Sequence, residues 1–302
     1  MSSTYDVMKG KPWRAVNFDW DFSIGDNKLK RGIAIIQERQ NIVKMFKELK
    51  FNIYPSEQAK DTRNLSKSRF LDVLNKFKRF CCEEPCGCIL VTVSSHGVII
   101  RQDGQTDDVE TYEDYVLTHP EPDQSGFSPE FKDERVSVRE IVEIFRDPRL
   151  KGIPKIFFIQ ACRDDSKHNT TGSQGLDEGV QLFVEKDAEE SRPNISVPVP
   201  PAPPENKIVY SPPCIDDSVI VFSTPFGYAA GFESRRGSHV WSDLTIKFKE
   251  AQRPLNLLNL LKETNRELSK SQHTIDKNEK SVVYKPLLSI CYTLTRHIVF
   301  EV

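Results

Sequence analysis

Two residue types that together can break an amide bond stand at the ends of two apolar runs. Cys162 follows Pro154-Lys155-Ile156-Phe157-Phe158-Ile159-Gln160-Ala161 and is itself followed by Arg163 and Asp164. His96 follows Cys88-Ile89-Leu90-Val91-Thr92-Val93-Ser94-Ser95 and is itself followed by Gly97. A thiol is a useful nucleophile at neutral pH only when a base or cation holds part of it as thiolate. An imidazole does this and can later protonate a leaving amine. The amides of Gly97 and Cys162 are candidate donors to the oxyanion that forms in between, and a glycine lets backbone approach a substrate closely. A lone cysteine is usually one more small buried hydrophobe. The pairing of Cys162 with His96, each after a strand-like run, points to chemistry.

Both residues need elements to hold them. Runs this apolar, rich in β-branched and aromatic residues, predict strands buried on both faces. In a parallel sheet two such strands deliver their ends to the same carboxyl edge, where open α/β sheets place their sites. The flanking sequence supplies the rest. Arg31-Gly32-Ile33-Ala34-Ile35-Ile36 reads as a first buried strand, after a mixed stretch in which Trp13, Phe18 and Trp20 are docking points. Ile42, Val43, Phe46 and Leu49 recur at helical spacing, Phe51 to Tyr54 is a short strand, and Ser66 to Cys81 is a helix carrying Phe70, Leu74 and Phe77. Gln102 to Lys132, polar and acidic, reads as a solvated surface insertion, and Val138 to Phe145 as a helix stopped near Pro148.

Beyond Asp164 the periodicity vanishes, and prolines such as Pro200, Pro201, Pro203 and Pro204 accumulate up to Pro213. A loop of that length in a compact domain is a functional or disordered segment. Ser218 to Thr224 resumes as a buried strand. Helices over Leu244–Glu250 and Leu255–Ser269 and strands over Leu287–Leu294 and Ile298–Phe300 close the chain. Strands alternating with helices predict a mostly parallel sheet covered on both faces. The expected division is 1–28 as a short N-terminal segment, 29–163 with the His/Cys pair, 164–213 as a linker and 214–302 as the closing region.

Composition narrows the function classes. The chain has 302 residues and a formal net charge of -2, so no global basic field argues for nucleic acid. No apolar run approaches the roughly 20 residues that span a bilayer, and no secretory signal is legible at the N-terminus. Seven cysteines, an odd number with no such signal, predict reduced thiols in a cytoplasmic protein. Cys81, Cys82, Cys86 and Cys88 invite a zinc reading. However, a helix end and a strand start do not readily converge on four ligands, so no metal is expected.

Gln160-Ala161-Cys162-Arg163 and Ser95-His96-Gly97 resemble the caspases. Phe222-Ser223-Thr224 with Gly227-Tyr228 resembles the start of the family's small subunit, and Lys285-Pro286 through Phe300 its end. The resemblance implies a six-stranded, mostly parallel sheet flanked by helices, built from a large and a small subunit that pairs with a second copy or a relative. It implies a cysteine endopeptidase acting on proteins, with His96 and Cys162 as the catalytic dyad, Gly97 at the oxyanion site and Gln160 in the primary specificity pocket. It further implies an N-terminal segment without a recruitment domain, activation by cleavage after Asp177 or Asp187, a role in cell death, and no cofactor.

The pocket departs from the family pattern. Caspases clamp a substrate aspartate with two arginines and the glutamine; aligned without gaps, Phe232 stands where one arginine belongs, with Arg235 and Arg236 nearby. The other arginine belongs to the loop between the first strand and the next helix, which here reads as Gln37 to Gln40 and leaves Arg39 as the stand-in. Asp164 replaces a glycine, and a carboxylate there opposes thiolate formation. Two readings follow: an endopeptidase of altered specificity, or a catalytically impaired homologue that regulates an active caspase by dimerisation.

Overall fold

The computed structural model describes residues 13–19, 39–54, 62–102, 109–119, 135–163, 207–228, 230–233, 237–251, 254–270, 273–277, 280–284 and 286–300. Its first strand, β1, is Trp13–Asp19, in the stretch where the sequence suggested only docking points. Arg14 and Asn17 interrupt its apolar pattern, yet both are buried, and the Thr92 hydroxyl donates to Asn17. The strand read at Arg31–Ile36 lies outside the described residues. Helix α1 (39–48) follows and returns the chain to β2 (Phe51–Tyr54). Helix α2 (Lys67–Glu83) precedes β3 (Cys88–Ser94), the run that leads to His96.

The next segment departs from expectation. Strand β4 (Gly97–Arg101) pairs antiparallel with β5 (Val109–Leu117), which lies inside the stretch read as a solvated insertion. Strand β6 (Arg135–Ser137) adds to β5 and leads into helix α3 (Val138–Glu143), whose N-cap Ser137 accepts from the Glu140 amide at 2.9 Å. Strand β7 (Lys155–Gln160) is the run that leads to Cys162 and is buried throughout. Strand β8 (Lys207–Tyr210), within the proline-rich region, lies parallel on β5.

The closing region supplies β9 (Ser218–Phe222), the short pair β10 (Phe232–Glu233) and β11 (Gly237–Ser238), and helix α4 (His239–Glu250). It continues through β12 (Leu255–Asn256), helix α5 (Leu257–Lys270), a hairpin of β13 (His273–Lys277) and β14 (Lys280–Tyr284) that the sequence did not suggest, β15 (Ser289–Tyr292) and β16 (Val299–Phe300). The central sheet runs β15-β9-β7-β3-β1-β2, parallel except for β15.

Alternation along the central strands divides the core in two. Leu90, Ile156, Phe158, Val219 and Val221 join α1, α4 and α5 on one face. Ile89, Val91, Val93, Phe157, Ile159, Ile220 and Phe222 join α2 and α3 on the other. The sheet flanked on both faces agrees with the expected fold. The register Ser94↔Gln160 places the ends of β3 and β7 side by side at one edge. Among the described residues no helix is long and apolar enough to cross a membrane.

Candidate active site

The two parallel strands deliver His96 and Cys162 to the same edge, as their sequence positions predict. The main chain fixes the meeting. The Ser95 amide donates to the Gln160 carbonyl at 2.9 Å, tying the segment before His96 to the end of β7. The Leu117 amide donates to the His96 carbonyl at 2.9 Å, and the Ser95 hydroxyl donates to the Leu117 carbonyl at 2.7 Å, so β5 clamps the histidine backbone from the other side. His96 and Cys162 are both half-buried, which leaves each within reach of a substrate.

Gly97 explains why a glycine must follow the histidine. A Cβ built there would lie 2.4 Å from the Cys162 carbonyl oxygen, 2.7 Å from the Ala161 Cβ and 3.0 Å from the Tyr115 carbonyl oxygen. Two of those neighbours are backbone, so no rotamer change makes room. The segment carrying His96 is pressed directly onto the segment carrying Cys162. The Ala230 amide donates to Cys162 Sγ at 3.4 Å. A donor on the sulfur favours the thiolate. Ala230 stands where the caspase pattern has the serine of its Ser-Trp-Arg motif, a position the sequence reading passed over.

Arg163, the residue after Cys162, is anchored by several bonds at this edge. It is 2% exposed and forks onto Asp114 of β5, with Nε to Oδ1 at 2.7 Å and Nη2 to Oδ2 at 3.1 Å. Tyr210 of β8 donates its hydroxyl to the same carboxylate at 2.5 Å, and burial together with Asp114 pushes that hydroxyl's pKa upward. The guanidinium also lies 3.9 Å over the Phe222 ring and donates to the Thr224 carbonyl at 3.4 Å. Its backbone exchanges bonds with the following loop, the Arg163 amide to the Tyr228 carbonyl and the Gly227 amide to the Arg163 carbonyl, both 2.8 Å. Gly227 has φ +85°, a conformation that L side chains rarely adopt. The reading of Gln102–Lys132 as a wholly solvated loop is therefore corrected: the hairpin carries a buried carboxylate into the site.

The residues the sequence suggests for a specificity pocket are partly brought together. Gln160, 6% exposed, accepts at Oε1 from the Ser238 hydroxyl at 2.8 Å. Ser238 also caps α4 by accepting from the Trp241 amide. Register places Phe232 opposite Ser238 across β10 and β11, so the backbone position that replaces the family arginine sits next to the residue holding Gln160. Arg39, in the first turn of α1, donates Nη2 to Thr62 Oγ1 at 3.1 Å. The residues 20–38 between β1 and α1, Arg31 among them, lie outside the described residues. Arg235, Asp164, Asp177 and Asp187 lie outside the described residues. Among the described residues, no group of three or more His, Cys, Asp or Glu side chains is placed to hold a metal.

Comparison with known proteins fits this geometry. A search of curated proteins returned no match. Among solved structures, the crystal structure of Caspase-1 from Spodoptera frugiperda superposes with a TM-score of 0.61 at 20% identity, covering 99% of this chain and 96% of that one. A family model described as the caspase domain matches residues 27–296. With a sheet, strand-end histidine and strand-end cysteine arranged as described, the chain belongs to the caspase family of cysteine peptidases.

Proposed function

We propose that this chain is a catalytically competent cysteine endopeptidase acting on proteins, with Cys162 as nucleophile and His96 as general acid and base. The thiolate attacks the scissile carbonyl, and the amides of Gly97 and Cys162 receive the oxyanion. His96 then protonates the leaving amine, and water releases the acyl group from the sulfur. The observation that carries this reading is the contact of Gly97 with the Cys162 backbone, so close that any Cβ there would have to push backbone aside. A chain freed from catalysis has no physical need to keep that approach together with both reactive side chains. Linker cleavage at Asp177 or Asp187, a cytoplasmic location and a role in cell death come with the family resemblance.

Substrate preference is the part most altered. Burying a substrate carboxylate without its partner costs about 3–5 kcal/mol. Phe232 offers no charge, and Arg39 is engaged with Thr62. Arg31, which precedes Arg39 in the chain, is the first residue to test, with Arg235 second. The decisive experiment incubates the linker-cleaved protein with a broad peptide library beside Cys162→Ala and His96→Ala. Loss of cleavage in the first and a fall in kcat/KM of about 10²–10⁴-fold in the second are expected. No Cys162-dependent cleavage of any sequence sinks the reading.

A second reading, a homologue that regulates an active caspase by pairing with it, is favoured by Phe232 and by the sheet edge. Strand β15 ends the sheet with no strand beyond it among the described residues, and its Tyr292 is 55% exposed. An open edge strand is a template for pairing with another chain. Under this reading Cys162→Ala leaves the biological effect intact, while a proline substitution in β15 abolishes it. The opposite pattern rejects it.

A further inference from the structure

One buried carboxylate at the carboxyl edge has both oxygens committed. Asp114 of β5 is 5% exposed; its Oδ1 accepts from Arg163 Nε, and its Oδ2 accepts from Arg163 Nη2 and from the Tyr210 hydroxyl. A buried ion pair is weak evidence for stability, because well-packed apolar residues of similar volume often serve as well or better. What a forked pair supplies is orientation. The Arg163 guanidinium is held further by rings, 3.9 Å from Phe222, 5.1 Å from Tyr210 and 5.7 Å from Phe226. The groups bonded to Arg163 and to β5 show where that orientation is felt.

On one side lies the sulfur. Arg163 is joined to Cys162 through the chain, and its carbonyl and amide hold Gly227 and Tyr228. That loop continues to Ala230, whose amide donates to Cys162 Sγ. Phe226, which precedes Gly227, packs on Tyr210 at 5.0 Å and on Tyr112 of β5 at 5.7 Å. A shift of Arg163 therefore moves both the sulfur and its donor. On the other side lies the imidazole. Three residues beyond Asp114 on the same strand, Leu117 holds the His96 carbonyl with its amide and the Ser95 hydroxyl with its carbonyl. Val116 is paired with Gly97, and β5 itself is pinned by β4, β6 and β8. Asp114 thus fastens the segment carrying Cys162 to the strand that holds the segment carrying His96.

We propose that Asp114 is a positioning residue for the His96–Cys162 pair. It fixes Arg163, and through Arg163 the sulfur and the Ala230 amide, relative to the strand that holds His96. The inference rests on the reading of Cys162 as nucleophile and His96 as its base, and it gives a strand outside the central sheet part in aligning them. The direction of the effect on the thiol separates positioning from charge. Removing the carboxylate unmasks the guanidinium next to Cys162, and by charge alone a nearby cation favours the thiolate. Lost alignment works the other way, because it displaces the Ala230 donor that favours the thiolate. A misplacement of about 1 Å at reacting groups costs up to about 10²-fold in rate.

The test compares the linker-cleaved parent with Asp114→Asn and with the apolar triple variant Asp114→Leu, Arg163→Met, Tyr210→Phe. The triple variant removes the ion pair whole, so the net charge beside the sulfur is unchanged and a fold is retained if Asp114→Asn loses it. One readout is the rate at which iodoacetamide alkylates Cys162 across pH, followed peptide by peptide with half-buried Cys82 as internal reference. The other is kcat and KM on a peptide that the parent cleaves. In both variants Cys162 should react at least about tenfold more slowly near neutral pH, as for a thiol pKa about one unit higher, with Cys82 unchanged. The kcat should fall about 10–10²-fold with little change in KM. Cys162 alkylation that is unchanged or faster in a folded variant, or a loss confined to KM, overturns the proposal. A parent that cleaves nothing, with Cys162 alkylation still slowed in the variants, rejects the endopeptidase and keeps Asp114 as the residue that positions the sulfur. Normal cleavage with unchanged alkylation in the variants does the reverse.

Discussion

Buried cations sit at both edges of the central sheet, and they are neutralised by different means. At the carboxyl edge, Arg163 meets a carboxylate in a two-pronged pair, with Tyr210 completing Asp114. At the amino edge, Arg14 meets a backbone carbonyl and the Phe80 ring, and Lys155 donates to the carbonyls of Ile153 and Asp216 at 2.9 and 3.2 Å. A forked pair fixes orientation as well as charge; carbonyls satisfy donors but leave the charge itself uncompensated. The stricter device stands beside Cys162.

The difference can be broken at its strongest point first. Asp114→Asn strands Arg163 as an uncompensated buried charge and should cost about 3–5 kcal/mol in urea unfolding. The same measurement on Arg14→Met should give a change within about 1 kcal/mol, because an apolar replacement removes a charge that pairs with no carboxylate among the described residues. Equal costs at the two sites would erase the distinction.

Tyr210→Phe removes one hydrogen bond to a charged acceptor and keeps the ring. Since Tyr210 is only half-buried, a loss near 1.5 kcal/mol is expected, with the ion pair intact. Gly97→Ala probes packing rather than charge at the same edge. It should destabilise by about 1–3 kcal/mol as backbone gives way, and should cost Cys162-dependent activity out of proportion to that stability loss. The smallest effect is a pH dependence at the amino edge. Burial lowers the Lys155 pKa, partly offset by Asp217 and Asp216. Between its folded and unfolded values the unfolded chain binds the extra proton, so stability rises with pH through that window. The parent should therefore gain on Lys155→Met as the pH is raised toward about 10, the ordinary lysine range. A parallel pair of curves would show that Lys155 carries no such penalty.

The same contrast explains what the sequence could convey. Strands β3, β7 and β9 were legible because an uninterrupted apolar run has few alternatives, and their ends then located His96 and Cys162. Strand β1 was not, because Arg14 and Asn17 read as surface residues, and only the fold supplies what buries them. Asp114 was hidden for a related reason. Its partners Arg163 and Tyr210 lie far along the chain, and an acidic hairpin gives no local sign that one carboxylate turns inward.

The docking of β8 on β5 has a further consequence for chain connectivity. Residues 164–206 leave from Arg163 and return at Lys207, and both departure and return are pinned to Asp114, one through Arg163 and the other through Tyr210. The two feet of the stretch share one post. A single scission within it removes a loop-closure constraint of a few kcal/mol and breaks none of the contacts at its feet. Two polypeptides would then remain one folded body, joined by a sheet whose strands come from both sides of the cut.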